Sequence, residues 1–374
     1  MEAMTAFPAS VYANRLTRAQ QLSTAAGTPL VITPGPDLAY LTGVVSESFE
    51  RLTALVVTAE GFTLVVPRLE LAILKDSAVP GLADAGVAVT VADWVDGEDP
   101  YTLVVDGLAG ASRVAVADAV PALHLIPLLD RGLTAELATA ILRRLRMIKD
   151  RAEIDELRAA GAAIDRVHAR VPEILRVGRT EREVADDISA AIVEEGHTVA
   201  AFVIVGSGPH GADPHHEVSD RVIEAGDVVV VDIGGPLPSG YNSDSTRTYS
   251  MGEPAAEVAQ QYAVLERAQA ASVAAVRPGV SAESIDAAGR DVLAAAGLGE
   301  YFVHRTGHGI GLSVHEEPYV VAGNDLSVEP GMAFSIEPGI YFSGSWGARI
   351  EDIVIVTEDG CEPVNNRPHG LTVL

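Results

Sequence analysis

Four acidic residues and one histidine in the C-terminal half restrict this chain more than any other feature: Asp232, Asp244, His308, Glu337 and Glu351. They lie in the strings VVVVDIGG, YNSDSTRT, RTGHGIG, FSIEPGIY and ARIEDI. Residues 228–232 read as a β-branched run and 242–250 alternate as a strand does. Gly234, Gly235, Pro236, Pro238 and Gly240 lie between them, so two strands joined by a loop are predicted. A hairpin pivoting near Pro238 sets Asp232 opposite Asp244. The turn FSGSWG repeats the construction, and a pivot at Gly344 sets Glu337 opposite Glu351. Like charges directly opposite each other destabilise a strand pair. A chain that does this twice is expected to hold cations between its acids.

A single acid beside a turn is ordinarily a solvated one. Four acids in two matched hairpins, with a histidine in a glycine-rich turn between them, form a pattern of a different kind. Carboxylates with one imidazole suit hard-to-borderline divalent metals such as Mn²⁺ or Co²⁺, held as a pair. The set contains no thiolate, which argues against a structural zinc site. Two neighbouring metals can generate a hydroxide nucleophile and hold the oxyanion that it creates.

Composition narrows the partners. The formal net charge of −26 repels nucleic acid and anionic membrane, since phosphate binding needs a basic patch. Hydrophobic residues at 48% and charged residues at 21% supply a sizeable core. Cys361 is the only cysteine, so no intrachain disulfide can form. The N-terminal stretch MEAMTAFPASVYANR lacks the basic start and apolar run of a signal peptide, and no apolar run reaches the length of a membrane span. A cytoplasmic protein is expected.

At 374 residues, two domains are the natural expectation. The first part alternates helix-like and strand-like stretches. VYANRLTRAQQLSTAAG reads as a helix, TPLVIT as a strand and RLTALVVTAEGFTLVVP as a hairpin, and GVAVTVADW, TLVVDGLA and SRVAVAD carry the alternation on. Leu133, Leu137, Ile141, Leu145 and Ile148 then repeat at helical spacing, which predicts a helix joining the domains.

The second part carries an internal duplication. Gly178 is followed eighteen residues later by Gly196, and Gly279 at the same distance by Gly297. Each intervening segment starts with a Thr or Ser placed to cap a helix, Thr180 with a capping box to Glu183. Glu224-x-Gly226 and Glu329-x-Gly331 follow, and six residues beyond each glycine stand Asp232 and Glu337. With earlier helical stretches at 151–175 and 255–276, the chain builds helix, helix, acid-bearing hairpin twice.

These strings resemble the pita-bread metallopeptidases, and among them the Xaa-Pro peptidases of the prolidase and aminopeptidase P type. The likeness spans nearly the whole chain. It is most specific from Ala152 onward and looser in the N-terminal part, where PDLAYLTG at 36–43 and the domain's size carry it. The resemblance implies an α+β fold: a pita-bread catalytic domain over 152–374 with an internal pseudo-duplication. A smaller mixed α/β domain of the creatinase/prolidase type precedes it over 1–132, with a linker helix over 133–151. It implies Asp232, Asp244, His308, Glu337 and Glu351 as ligands of two divalent ions per subunit, Mn²⁺ or Co²⁺ ahead of Zn²⁺.

The implied reaction is hydrolysis of the bond preceding proline, as an Xaa-Pro dipeptidase or aminopeptidase, with a metal-bridging hydroxide as nucleophile and Glu337 as general base. His215 in ADPHHEVSD is assigned to the leaving proline, and His315 in VHEEP to the tetrahedral intermediate. Arg349 is expected to orient an acidic ligand. Tyr341 either assists near the oxyanion or is a packed strand aromatic. His210, His216 and His304 are expected to be solvated. Tyr319 stands where some archaeal prolidases carry a substrate-binding Arg, which weakens a strict dipeptidase reading. Implied partners are short peptides with proline second and, through the N-terminal domain, a second copy in a homodimer.

Two other readings compete. One is a metal-free, creatinase-like C–N hydrolase, which the five filled ligand positions oppose. The other is a non-catalytic pita-bread binding protein, which would show ligand loss and charged tails. Two smaller motifs drop out: Gly307–Gly311 lacks the spacing and following acid of a dinucleotide loop, and Gly206-Ser-Gly is not a nucleophile elbow.

Overall fold

The computed structural model describes residues 7–46 and 50–374; the first six residues of the N-terminal stretch lie outside that range. The chain forms two compact units, Met1–Arg146 and Met147–Leu374. No helix among the described residues is long and apolar enough to cross a membrane.

In chain order the first unit contains α1 (Ala9–Ala26), β1 (Leu30–Ile32), α2 (Pro36–Thr42), β2 (Ala54–Val57), β3 (Phe62–Pro67) and α3 (Val79–Leu82). It continues with β4 (Val89–Trp94), α4 (Pro100–Gly107), β5 (Arg113–Val116), α5 (Ala122–Leu129), β6 (Thr134–Leu137) and α6 (Thr139–Met147). The six strands make one mixed sheet in the order β4-β3-β2-β1-β5-β6. TLVVDG is helical, because Asp99 accepts from the Tyr101 N–H and Pro100 opens the first turn.

The single linker helix expected over 133–151 is corrected. Thr134–Leu137 is an edge strand pairing parallel to β5, and helix begins only at Thr139. Leu133 is buried in the core of this unit whereas Leu137 is 61% exposed, so the apolar stripe was a coincidence of spacing. The ladder bonds that β5 offers override local helix propensity.

The second unit contains α7 (Arg151–Ile174), α8 (Glu181–Glu194), β7 (Phe202–Ser207), β8 (Val228–Pro236), β9 (Asn242–Ser250), α9 (Ala256–Ala275) and α10 (Ala282–Ala295). After these come β10 (Gly307–Gly309), β11 (Glu316–Val320), β12 (Ala333–Ile336), β13 (Gly339–Phe342), β14 (Trp346–Arg349), β15 (Asp352–Val356), β16 (Cys361–Pro363) and β17 (Thr372–Val373). Sheets of four and five strands run β17-β9-β8-β7 and β11-β10-β12-β15-β16, with β13-β14 as a separate ribbon.

The duplicated strings occupy matching places. Gly178 N–H donates to the Ile223 carbonyl and Gly279 N–H to that of Val328, each at 2.9 Å. Thr180 bridges Val222 as Ser281 bridges Ser327. Gly226 and Gly331 both adopt left-handed backbone, φ 89° and 88°, at the entry to an acid-bearing strand. Thr180 and Glu183 form the full capping box, while Ser281 makes no side-chain cap.

Helix α7 is tied to the first hairpin through wholly buried His168. Its Nε2–H donates to the Ser245 carbonyl at 3.1 Å, and Nδ1 lies 3.3 Å from the Tyr249 hydroxyl. Burial, then the Arg247 charge, push this imidazole down from 6.5 to about 3. Between those values the unfolded chain binds a proton that the folded chain refuses. Stability present above about pH 6.5 is therefore lost as the pH falls toward about 3. His168→Gln should flatten that acid slope by up to about 1.4 kcal/mol per pH unit, measured by urea denaturation across the window.

Candidate metal centre

The two acid-bearing hairpins meet at one place, and their registers show how. In the first, Asp232 pairs with Thr246, and Asp244 pairs with Gly234. The expected direct opposition of Asp232 and Asp244 is thus corrected to a diagonal one on the same face. The loop runs from 237 to 241, so the hairpin pivots at Ser239 rather than near Pro238. A diagonal step separates like charges further than direct opposition does, and leaves room between them. Gly234 is required opposite Asp244: a Cβ there would lie 2.3 Å from the Ser243 carbonyl oxygen and 2.4 Å from the Phe202 ring.

In the second hairpin, Ile336 pairs with Asp352 and Gly339 with Arg349, which is the register of a pivot at Gly344. Between those pairs the ladder opens at the two acids. Pro338 has no N–H to donate. Glu337 N–H turns instead to the Thr306 carbonyl (2.8 Å), and Glu351 N–H to the Thr246 carbonyl (3.2 Å). Thr246 therefore touches both halves, paired with Asp232 on one side and bridged to Glu351 on the other.

Asp232, Asp244, His308, Glu337 and Glu351 all line one cavity of about 710 Å³, together with His215, His315 and Arg349. Ligand atoms of Asp244, His308 and Glu351 lie within 4.8 Å of one another. His308 Nδ1 lies 3.1 Å from the Gly309 carbonyl, and its Nε2 faces Glu337 Oε1 (3.2 Å) and Asp244 Oδ2 (3.5 Å). Three of the four carboxylates are steadied from behind. Arg349 donates to Asp232 Oδ2 (2.5 Å), Thr246 to Glu351 Oε2 (2.7 Å) and Ser335 to Glu337 Oε1 (2.9 Å). The opposite oxygens, Asp232 Oδ1 and Glu351 Oε1, are buried with no hydrogen-bond partner among the described residues.

Two unsatisfied carboxylate oxygens in such a cluster fit cations and not protein donors. The electrostatics agree. Burial, then the charges of Asp232 and Glu337, push the Asp244 carboxyl well above its usual range; burial, then Asp244 and Glu337, do the same to Glu351. For Glu337 burial also pushes upward, but the hydrogen bond and charge of His308, with the charges of His304 and Arg349, together outweigh it and hold the carboxyl low. Divalent ions at this position would neutralise the cluster, and these residues fit them.

The remaining predicted residues divide. Arg349 donates to Asp232 and also to the Tyr341 hydroxyl at 2.8 Å. Tyr341 is buried and does not line the cavity; burial pushes its hydroxyl up to about 12. That hydroxyl lies 2.8 Å from His304 Nε2, whose Nδ1–H donates to the Arg305 carbonyl at 2.7 Å. His304 is therefore not solvated: it lines the cavity and ends a chain running Asp232–Arg349–Tyr341–His304. His216 is not solvated either, since its ring lies tilted against that of His210, centroids 4.4 Å apart, and its Nε2 lies 2.8 Å from buried Glu181. His210 is partly exposed, with Nδ1 3.1 Å from the same carboxylate.

The His315 ring meets His308 edge-on at 4.2 Å. Desolvation, then repulsion from His308 and Arg305, push its imidazole down to about 4, so it is neutral at neutral pH. Ser335 and Thr246 escaped sequence reasoning. Ser335 stands two residues before Glu337, on the same strand face, and strand alternation could have found it.

Close backbone approach at His308 depends on Gly307. A Cβ there would lie 1.8 Å from the Ser335 carbonyl oxygen. Gly307→Ala should lower stability by roughly 1–3 kcal/mol or more through overpacking, seen in the denaturation midpoint.

Two families match the chain. The creatinase/prolidase N-terminal domain covers residues 15–148, and metallopeptidase family M24 covers 155–358. The chain belongs to metallopeptidase family M24. This M24 metallopeptidase is 65% identical over 372 residues to the probable dipeptidase PepE of Mycobacterium tuberculosis (strain ATCC 25618 / H37Rv), covering 98% of each chain. It is 34% identical over 348 residues to the Xaa-Pro dipeptidase of Lactobacillus helveticus, covering 90% of this chain and 92% of that one. The crystal structure of dipeptidase PepE from Mycobacterium ulcerans superposes with a TM-score of 0.93 at 64% identity, covering 98% of this chain and 99% of that one. The architecture of an M24 catalytic domain behind a creatinase-type N-terminal domain is shared with these relatives.

Proposed function

We propose that this M24 metallopeptidase hydrolyses the bond preceding proline in short peptides with proline second, dipeptides included, using two divalent ions held by Asp232, Asp244, His308, Glu337 and Glu351. Mn²⁺ or Co²⁺ suits the oxygen-rich donor set best, with Zn²⁺ as the alternative. The observation that carries the reading is the pair of orphaned carboxylate oxygens, Asp232 Oδ1 and Glu351 Oε1, inside a five-ligand cluster on a cavity. When bound, such ions acidify water and polarise a scissile carbonyl.

The protein's own groups supply the rest. Ser335 pins Glu337 Oε1, which leaves Oε2 to accept a proton from the attacking water and pass it on. His315, neutral on the cavity wall, can donate a hydrogen bond to the developing oxyanion. Arg349 holds Asp232 in orientation, and Tyr341 and His304 hold Arg349. Proline's nitrogen is a tertiary amide with no N–H, so recognition there rests on shape and its departure needs a delivered proton. Ala201, Phe202, Ile204 and Val314 give the cavity an apolar wall that suits a pyrrolidine ring. His215, also on the lining, is assigned to the leaving proline. The assembly in this reading is a homodimer, which light scattering tests.

A panel of Ala-Pro, Ala-Pro-Ala and a longer Xaa-Pro peptide with added Mn²⁺ should show cleavage before proline; equal cleavage of matched Xaa-Ala peptides would overturn the specificity. His215→Ala should lower kcat/KM roughly ten- to a hundredfold, as loss of a hydrogen bond to developing charge does, with bound metal unchanged. No change would remove His215 from the reaction.

A further inference from the structure

A second cluster of ionisable groups lies outside the metal centre, around Glu181 at the start of α8. Its side chain is fully buried. Oε1 accepts from the Ser207 N–H (2.9 Å) and hydroxyl (2.7 Å), and Oε2 from the Ser219 N–H (3.2 Å) and hydroxyl (2.6 Å). His216 Nε2 reaches Oε2 at 2.8 Å, and His210 Nδ1 lies 3.1 Å from Oε1 and 3.2 Å from Oε2. Burial pushes this carboxyl up, but the bonds from Ser219, Ser207 and His216 outweigh it and hold it down at about 2. One carboxylate therefore gathers donors from both ends of the segment 207–219.

The middle of that segment carries Pro214 and His215, which line the cavity. His215 has little of its own to hold it. Its backbone N–H donates to Asp213 Oδ1 at 3.0 Å, and its ring has no hydrogen-bond partner among the described residues. Where its ring stands is decided by the loop, and the loop is closed on Glu181. Ligand atoms of Glu181, His210 and His216 lie close enough to hold an ion. Both Glu181 oxygens, however, are already taken by hydroxyl and amide donors, unlike the orphaned oxygens of Asp232 and Glu351. Saturation of this kind marks a structural clamp, not an ion site.

We infer that Glu181, with His216 and Ser219, is a positioning group for catalysis: it locks the segment 207–219 so that His215 is presented to the substrate. The inference rests on the reading of His215 as a group that contacts the leaving proline. The clamp acts through His215 and should have no effect where His215 is absent.

The test is a double-mutant cycle on one Xaa-Pro dipeptide with the metal-loaded protein, because residues acting through one another are not additive. Glu181→Gln, His216→Ala and Ser219→Ala are each made alone and with His215→Ala; Ser219→Ala keeps its backbone donor and is the mildest to the fold. Each single change should lower kcat/KM about fivefold to tenfold, the scale of a weakened hydrogen bond to charge, with bound metal unchanged. In the His215→Ala background the same changes should cost less than about twofold. Equal losses in both backgrounds would overturn the clamp, as would a third bound metal equivalent that disappears with His216→Ala. A costly His215→Ala beside silent His216→Ala and Ser219→Ala would overturn the clamp alone. A silent His215→Ala would overturn the role of His215 and the clamp with it.

Discussion

Stripping divalent ions from the purified protein with a chelator is expected to abolish peptide hydrolysis and to lower the melting temperature, and Mn²⁺ or Co²⁺ should restore both. Without cations the cluster must bury Asp232, Asp244, Glu337 and Glu351 side by side. Burial and mutual repulsion then drive Asp244 and Glu351 toward the protonated form, while His308 shields Glu337. A ligand that binds only the folded state stabilises it by mass action, by about 2.7 kcal/mol at a hundred times its dissociation constant. For a chain of this size that is a rise of several degrees, on the order of 2–4 °C per kcal/mol. Calorimetry and a continuous Xaa-Pro assay on the same stripped and reloaded samples check the two effects together. Full activity in metal-free protein would end the metal-dependent reading.

Glu337→Gln should lower kcat by about 10²-fold or more, the range of a positioned general acid–base group. Glutamine retains the oxygen that Ser335 holds and loses the one that accepts a proton. Metal analysis of the purified variant should show less loss than in Asp244→Ala, because the amide oxygen remains a ligand while alanine offers none. Near wild-type kcat in Glu337→Gln would mean that another group takes the proton. The amide also sets a donor among the acids in place of a carboxylate oxygen, a second effect beside loss of the base. Glu337→Asp, which keeps the charge and shortens the arm, should therefore retain more activity than Glu337→Gln.

By itself the sequence determined which residues would meet. Acids on neighbouring strands, glycine-rich turns between them and a histidine between two such hairpins are local patterns, written in countable spacings. The turn at Gly344 set a register that continues through both Ile336–Asp352 and Gly339–Arg349. The repeated Gly–Gly and Glu-x-Gly offsets marked two halves whose backbone bonds match. Tertiary structure decided the rest, because the deciding bonds join residues that no local period connects. A five-residue loop moved the first hairpin's pivot to Ser239 and made Asp232 and Asp244 diagonal neighbours. Pairing with β5 turned Thr134–Leu137 into a strand where apolar spacing spelled helix. His304 and His216, which look like surface histidines in sequence, are held by Tyr341 and Glu181 from far along the chain. A lone histidine carries no periodic signal, and its environment exists only once distant strands and helices have closed around it.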